Sequence, residues 1–296
     1  MNNKKKKVLI LGATGLIGSG LFISLSAKLG LEVLGTIRSQ KASKLFPQQL
    51  RKNLFSGIEV TNNSSILKLI SRISPNVVIN CIGLTKHLAN GNDPLIAIPL
   101  NSYLPHYLAA HCKQLGIRFI HISSDCVFSG DKGNYVESDT PDATDIYGKS
   151  KSLGEVDDGS AITLRTSTIG HELTTSYGLL NWFLSQNHEC SGFEKALFSG
   201  IPTVELARII SDYVILAPHL TGLYHIAGQS ISKFDLLKLI AKEYGKKIHI
   251  TPEQRFAINR SLNGEKFAKA TGYTPLSWPK LIKMMHQSYQ GSIDVQ

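Results

Sequence analysis

Long apolar runs are missing from this 296-residue chain. Nowhere do ~18 consecutive apolar residues occur, so no membrane-spanning helix is expected. Charge is sparse too, at 18% against 42% hydrophobic residues, which excludes an intrinsically disordered polyelectrolyte and suits a globular protein. The four cysteines, Cys81, Cys112, Cys126 and Cys190, form no CxxC pair and show no metal-like spacing with histidine. That excludes a disulfide frame and a structural zinc site, and reads as reduced thiols in a cytoplasmic protein. No flexible linker, internal repeat or low-complexity tract interrupts the chain. Acidic residues are the minority, 22 against 32 basic ones, for a net charge of +10. Such an excess suits nucleic acid or a pocket for anionic small molecules. There is no basic helix with interleaved aromatics and no RNP or zinc-finger pattern, and four of the lysines sit together at Lys4 to Lys7. Nucleic acid is therefore not an expected partner. The lysine run followed by Val8-Leu9-Ile10-Leu11 imitates a signal peptide, but it breaks at Gly12 without a cleavage pattern.

What is present is an alternation of strand and helix signals. Strands are expected at Lys7–Leu11, Glu32–Ile37, Leu54–Val60, Val77–Cys81, Ile117–Ile122 and Ile162–Thr166. Helices are expected at Leu16–Leu29, Asn63–Ile73, Ile96–Leu115 and from Ile146. Repeated β–α–β units with right-handed crossovers imply an α/β fold, a doubly wound parallel sheet. After Thr166 the rhythm weakens. Helices are expected at Tyr177–Gln186, Val204–Ala217, Lys233–Tyr244 and Pro279–Ser288, with short strands at Leu223–Ala227 and Lys247–Ile250. Residues 1–166 thus read as a dinucleotide-binding domain. Residues 167–296 read mainly as a smaller α/β substrate-binding region with a soft boundary.

The strongest local signal is Gly12-Ala13-Thr14-Gly15-Leu16-Ile17-Gly18, which follows the first strand and opens the first helix. Gly12 permits a tight turn, Gly15 lets backbone approach a pyrophosphate, and Gly18 lets helix and strand pack closely. The helix end supplies free N–H groups and a positive dipole end. At the end of the second strand, an NAD site would want Asp or Glu. Arg38 stands there, and its fork of donors suits a 2′-phosphate. NADP(H) is expected ahead of NAD(H).

Tyr147 and Lys151 lie four apart at the start of a helix, on one face. A cation there stabilises phenolate and draws the phenol down from its usual ~10. The spacing alone also arises on surface helices; its weight comes from the surrounding dinucleotide fold. Ser124, at the end of the fifth strand, can hydrogen-bond a ketone oxygen while Tyr147 delivers the proton. Ser123 competes, because strand alternation sends neighbours to opposite faces. His87, His121, His171 and the cysteines are read as structural, and no metal site is expected.

Taken together, the glycine turn, Ser124 and Tyr147-x-x-x-Lys151 resemble the extended short-chain dehydrogenase/reductase superfamily, with its Rossmann fold. Within it the chain is most similar to the dTDP-4-dehydrorhamnose reductase family. The segments carrying this are His121–Gly130, Tyr135–Glu137, Ile146–Glu155, Leu164–Ser167, Ile201–Thr203 with Leu206–Ala207, and Asn259–Leu262. The resemblance implies NADPH-dependent reduction of the 4-keto group of a nucleotide-activated deoxysugar, in bacterial surface-polysaccharide or O-antigen synthesis. It implies Tyr147 as acid, Lys151 also on the nicotinamide ribose, and Ser124 in place of the family's usual Thr. Thr14, Leu16, Ile17, Cys81, Ile82, Gly83 and Asn101 would join the glycines around the cofactor. Thr85, Lys86, Asp125, Cys126, Thr168 and Arg260 would meet the substrate. The chain departs from the family at Cys126 and Thr168, where aromatics are usual near the sugar. A homodimer is compatible with the resemblance. Rival readings are a nucleotide-sugar epimerase or dehydratase with bound NAD, and a non-catalytic cofactor-binding regulatory subunit.

Overall fold

The computed structural model describes residues 5–60, 63–84 and 91–293. Strand β1 (Lys6–Leu11), helix α1 (Leu16–Ser26), β2 (Leu31–Thr36) and the short β3 (Leu54–Phe55) open the chain. Helix α2 (Asn63–Ile73) and β4 (Val77–Asn80) follow. A long helical segment then comprises α3 (Pro94–Ala97), a π-helical stretch (Ile98–Tyr103) and α4 (Leu104–Gln114). Next come β5 (Arg118–Ser124), α5 (Ile146–Leu153) and β6 (Ile162–Thr166). The seven-stranded sheet has the order β3-β2-β1-β4-β5-β6 and is completed beside β6 by β10 (Gly222–Ile226). Every pairing in it is parallel.

The sheet is buried on both faces, and the strand period distributes its side chains between two cores. Val8 and Ile10 of β1 join one cluster with Phe22 and Leu25 of α1. Leu9 and Leu11 join the other, with Ile66 and Ile70 of α2 and Leu108 of α4. Each such aliphatic contributes about 1.5–3 kcal/mol by leaving water. Two residue classes explain where the outline departs from expectation. Leu29, counted as helical, is 100% exposed and finds no core, so α1 stops at Ser26. Pro99 sits inside the helix expected at Ile96–Leu115; it lacks a donor, and the turn there is π-helical.

Beyond β6 the chain forms β7 (Thr168–Ile169), α6 (Leu179–Ser185), β8 (Glu189–Phe198), β9 (Ile201–Pro202) and α7 (Thr203–Ile209). After β10 come β11 (Ile231–Ser232), α8 (Lys233–Glu243), β12 (His249–Asn259), α9 (Glu265–Thr271) and α10 (Trp278–Ile293). Strands β11, β8 and β12 form a separate three-stranded sheet, and β7 pairs with β9. A third core gathers Leu180 and Phe183 of α6, Leu236 and Ile240 of α8, and Leu281 and Met285 of α10. Among the described residues no helix is long and apolar enough to cross a membrane.

Candidate active site

Strand order reverses between β1 and β4, and the carboxyl ends of β1, β4 and β5 open there into a cleft. Gly12 turns the chain at φ +80°, a conformation that favours glycine. Its N–H donates to Thr36 Oγ1 at 3.0 Å, and Ala13 N–H donates to Thr36 O at 2.9 Å, so the end of β2 fixes the turn. A Cβ on Gly18 would stand 2.1 Å from the Gly12 carbonyl oxygen, which is how α1 lies so close to β1. A Cβ on Gly15 would meet only that same oxygen, at 3.7 Å, so its outer side is open. No side chain caps α1, leaving its first N–H groups to the cleft. This is a cradle shaped for an anion.

The serine, tyrosine and lysine expected at the site come from β5 and α5. Asp145 caps α5, accepting from Gly148 N–H at 2.6 Å. A Cβ on Gly148 would lie 2.3 Å from the Cys126 carbonyl oxygen, so only glycine lets α5 settle on the turn that follows β5. That packing brings Tyr147 beside Ser124 in the same cleft. Ser124 Oγ also accepts from Cys126 N–H at 3.1 Å and donates to Asp125 at 3.2 Å. The Ser123 hydroxyl is committed elsewhere, donating to Glu155 at 2.6 Å. Lys151, 5% exposed, donates from Nζ to the Ile122 carbonyl at 2.8 Å. Burial pulls the Lys151 ammonium down to about 8, opposed by the carboxylate of Glu155 and by Cys81.

Here the electrostatics differ from the sequence expectation. The Tyr147 phenol is pushed above its ordinary value, not below it. Burial of its hydroxyl end dominates, Cys126, Asp125 and Asp145 add to it, and the neighbouring Ser124 hydroxyl only partly offsets them. The phenol stays protonated at neutral pH. Burial also raises Asp125, against the pull of Arg260, and lifts the Cys81 thiol to about 12. His121 is fully buried and held well below its usual value by desolvation and by Lys151.

The sequence matches the family described as RmlD substrate binding domain over residues 6–290. The chain belongs to that family. It is 33% identical over 147 residues to a probable low-salt glycan biosynthesis reductase, Agl14, of Haloferax volcanii, covering 49% of this chain and 46% of that one. It thus spans about half of that relative. It is 26% identical to the dTDP-4-dehydrorhamnose reductase of Aggregatibacter actinomycetemcomitans, over 77% of this chain and 86% of that one. Among solved structures, dTDP-4-dehydrorhamnose reductase of Bacillus anthracis in complex with NADP superposes with a TM-score of 0.76 at 20% identity, covering 96% and 99% of the two chains.

In this RmlD-family chain the cleft has an outer lobe of about 710 Å³ and an inner one of about 310 Å³. Gly15, Leu16, Cys81, Ile82, Gly83, Asp125, Cys126 and Thr168 line both, so the two are continuous. Ile17, Ser124, Tyr147 and Lys151 face the inner lobe. Gly12, Thr14, Arg38 and Arg260 face the outer one. Two residues expected at the cofactor stand behind the wall. Gly18 is spent on packing against Gly12. Asn101, fully buried, brackets Leu84: it accepts from that residue's N–H at 2.8 Å and donates to its carbonyl at 3.2 Å and to Ser150 Oγ at 3.0 Å. Thr85, Lys86 and His87 lie outside the described residues.

Sequence reading missed the far wall of the outer lobe, formed by Glu172, Tyr177, Trp182, Phe198 and Lys233. These come from separate elements and form no motif. Glu172 organises the rim locally, accepting from Thr175 Oγ1 and from Gly178 N–H, both at 2.7 Å. Among the described residues no group of three His, Cys, Asp or Glu side chains is placed to hold a metal ion.

Proposed function

We propose that this chain reduces the 4-keto group of a nucleotide-activated deoxysugar with NADPH, in the synthesis of a surface polysaccharide. The observation that carries this reading is the inner lobe. It combines a protonated phenol, a hydroxyl beside it and a buried ammonium with Gly15 and Gly83 of the dinucleotide cradle. The reductase names of the two relatives and the NADP held by the Bacillus anthracis protein support the same reading.

The cradle fits a dinucleotide: Gly12, Thr14, Gly15 and Leu16 present backbone to the diphosphate, and Ile82 and Gly83 flank the ring end. Arg38, exposed on the wall and without an ion-pair partner among the described residues, favours NADP(H) over NAD(H). A bound reduced nicotinamide would supply the hydride. Tyr147 then delivers its proton to the ketone oxygen, and Ser124 steadies that oxygen by hydrogen bonding. Lys151, held by Ile122, keeps positive charge beneath the forming phenolate. On the substrate side, Cys126 and Thr168 flank the sugar. Arg260, anchored by its Nε to the Phe128 carbonyl at 2.8 Å and by Nη1 to Cys126 Sγ at 3.8 Å, offers the remaining Nη2 to the substrate diphosphate. Trp182 and Tyr177 offer flat surfaces to the base.

A panel of 4-keto sugar nucleotides assayed by loss of NADPH absorbance tests this. Consumption is expected with at least one of them, and Tyr147→Phe should lower turnover by about 10²–10⁴-fold while NADPH still binds. Isomerisation without net NADPH use would favour an epimerase. Cofactor binding with no turnover across the panel would favour a regulatory subunit.

A further inference from the structure

A second charged assembly lies directly behind the inner lobe. The chain turns at Gly154, where a Cβ would stand 1.8 Å from the Asn101 carbonyl oxygen, and this turn drops Glu155 into the interior just past the end of α5. There Glu155 pairs with Arg165 of β6, whose Nε and Nη2 each donate to it at 2.7 Å. The side chains are 8% and 3% exposed. Glu155 also accepts from the Ser123 hydroxyl at 2.6 Å. Arg165 continues inward: Nη1 lies 3.3 Å from His225 Nε2, and its guanidinium sits 5.0 Å over the Phe128 ring, whose carbonyl anchors Arg260.

A buried ion pair is weak evidence for stability, because desolvation of two charges offsets most of their attraction. Its place in this fold suggests another use. Lys151 lies in the last turn of α5, four residues before Glu155, and Ser123 immediately precedes Ser124. We propose that Glu155 is a positioning residue for the reduction: it is the fixed anion that the Lys151 ammonium faces, and through Ser123 it sets the end of β5 that presents Ser124. This rests on the reductase reading above.

The groups around Lys151 make the assignment selective. The phenol of Tyr147 comes from α5, the thiol of Cys81 from the end of β4 and the imidazole of His121 from β5. Burial drives the ammonium towards its neutral form, His121 is already neutral, and the Cys81 thiol is protonated at neutral pH. Glu155 is therefore the one anion among these neighbours that opposes desolvation at neutral pH.

The test is the titration of Lys151 in Glu155→Gln, read in two ways on the full chain. The first is the basic limb of kcat/KM against pH, which reports the free enzyme. The second is the pH dependence of the Lys151 resonance in ¹³C-lysine-labelled protein, which needs no turnover. Both should move to lower pH by about 1–3 units, and Glu155→Asp should restore much of the shift. If Glu155→Gln does not fold, the volume-matched Glu155→Met/Arg165→Met pair removes both charges together, an exchange that buried ion pairs tolerate. The same downward movement is expected there. A folded variant whose Lys151 resonance titrates as in the parent protein overturns the proposal. If the parent protein reduces no ketone, the reductase reading fails, while the resonance still decides whether Glu155 governs Lys151.

Discussion

Arg38 faces the outer lobe from the end of β2, across from the glycine turn. A hydrogen bond to a charged group is worth about 1.5–3 kcal/mol, so Arg38→Ala should weaken NADPH binding by about 10–150-fold and leave NADH binding nearly unchanged. Fluorescence titration with both cofactors checks this; equal losses would remove Arg38 from cofactor selection. At this scale the sequence was informative wherever one short segment carries the chemistry. Arg38, Ser124, Tyr147 and Lys151 all reach the cleft they were expected to line. The protonation of Tyr147 was not legible, because it depends on burial and on Cys126 and Asp125, which the turn after β5 brings against α5. Trp182, Tyr177 and Lys233 were not legible either, since nothing in their local sequence sets them apart from ordinary helix and loop residues.

Elements are placed here by a few close backbone approaches. Gly18→Ala would put a methyl group 2.1 Å from the Gly12 carbonyl oxygen, so either α1 or the turn must move. Overpacking of this kind costs about 1–3 kcal/mol. A lowered melting temperature is expected together with loss of NADPH binding; unchanged affinity would show that the cradle tolerates displacement of α1. Elements with a clean period were read correctly to the residue, as in α2 and β6. Strand β8 was missed and β12 recognised only at its start. Their sheet is largely solvated, and β8 carries Gly192 at its middle and little apolar alternation. β3 is short because only Gly35 and Thr36 of β2 pair with it.

At the scale of the whole molecule, the C-terminal helix is tied back to the segment that leaves the main sheet. The His171 ring stacks on Tyr289 of α10 at 3.7 Å and meets the Tyr244 hydroxyl at 2.9 Å. Burial, with the charge of His286 adding, lowers His171 to about 4. Between that value and the ordinary 6.5, the unfolded chain takes up a proton here that the folded chain refuses. This contribution to stability is complete above about pH 6.5 and is lost as pH falls towards 4. His171→Phe keeps a ring in the stack without the titration. Its urea midpoint should therefore fall less than the parent's between pH 7 and about 4.5. His225, lowered to about 4 by burial and Arg165, titrates in the same window and leaves a residual slope in both proteins. Identical pH dependence in the two proteins would count against this role.

By itself the sequence determined the strand–turn–helix cradle, the helix bearing Tyr147 and Lys151, and the parallel order of the main strands. Each of these depends on steric and periodic demands satisfied within a short stretch of chain. Tertiary structure alone decided which serine meets the phenol, that the phenol stays protonated, and that Glu155 and Arg165 stand behind the lysine. Those outcomes follow from desolvation and from charge–charge distances between segments remote in sequence, which have no value until the chain has folded.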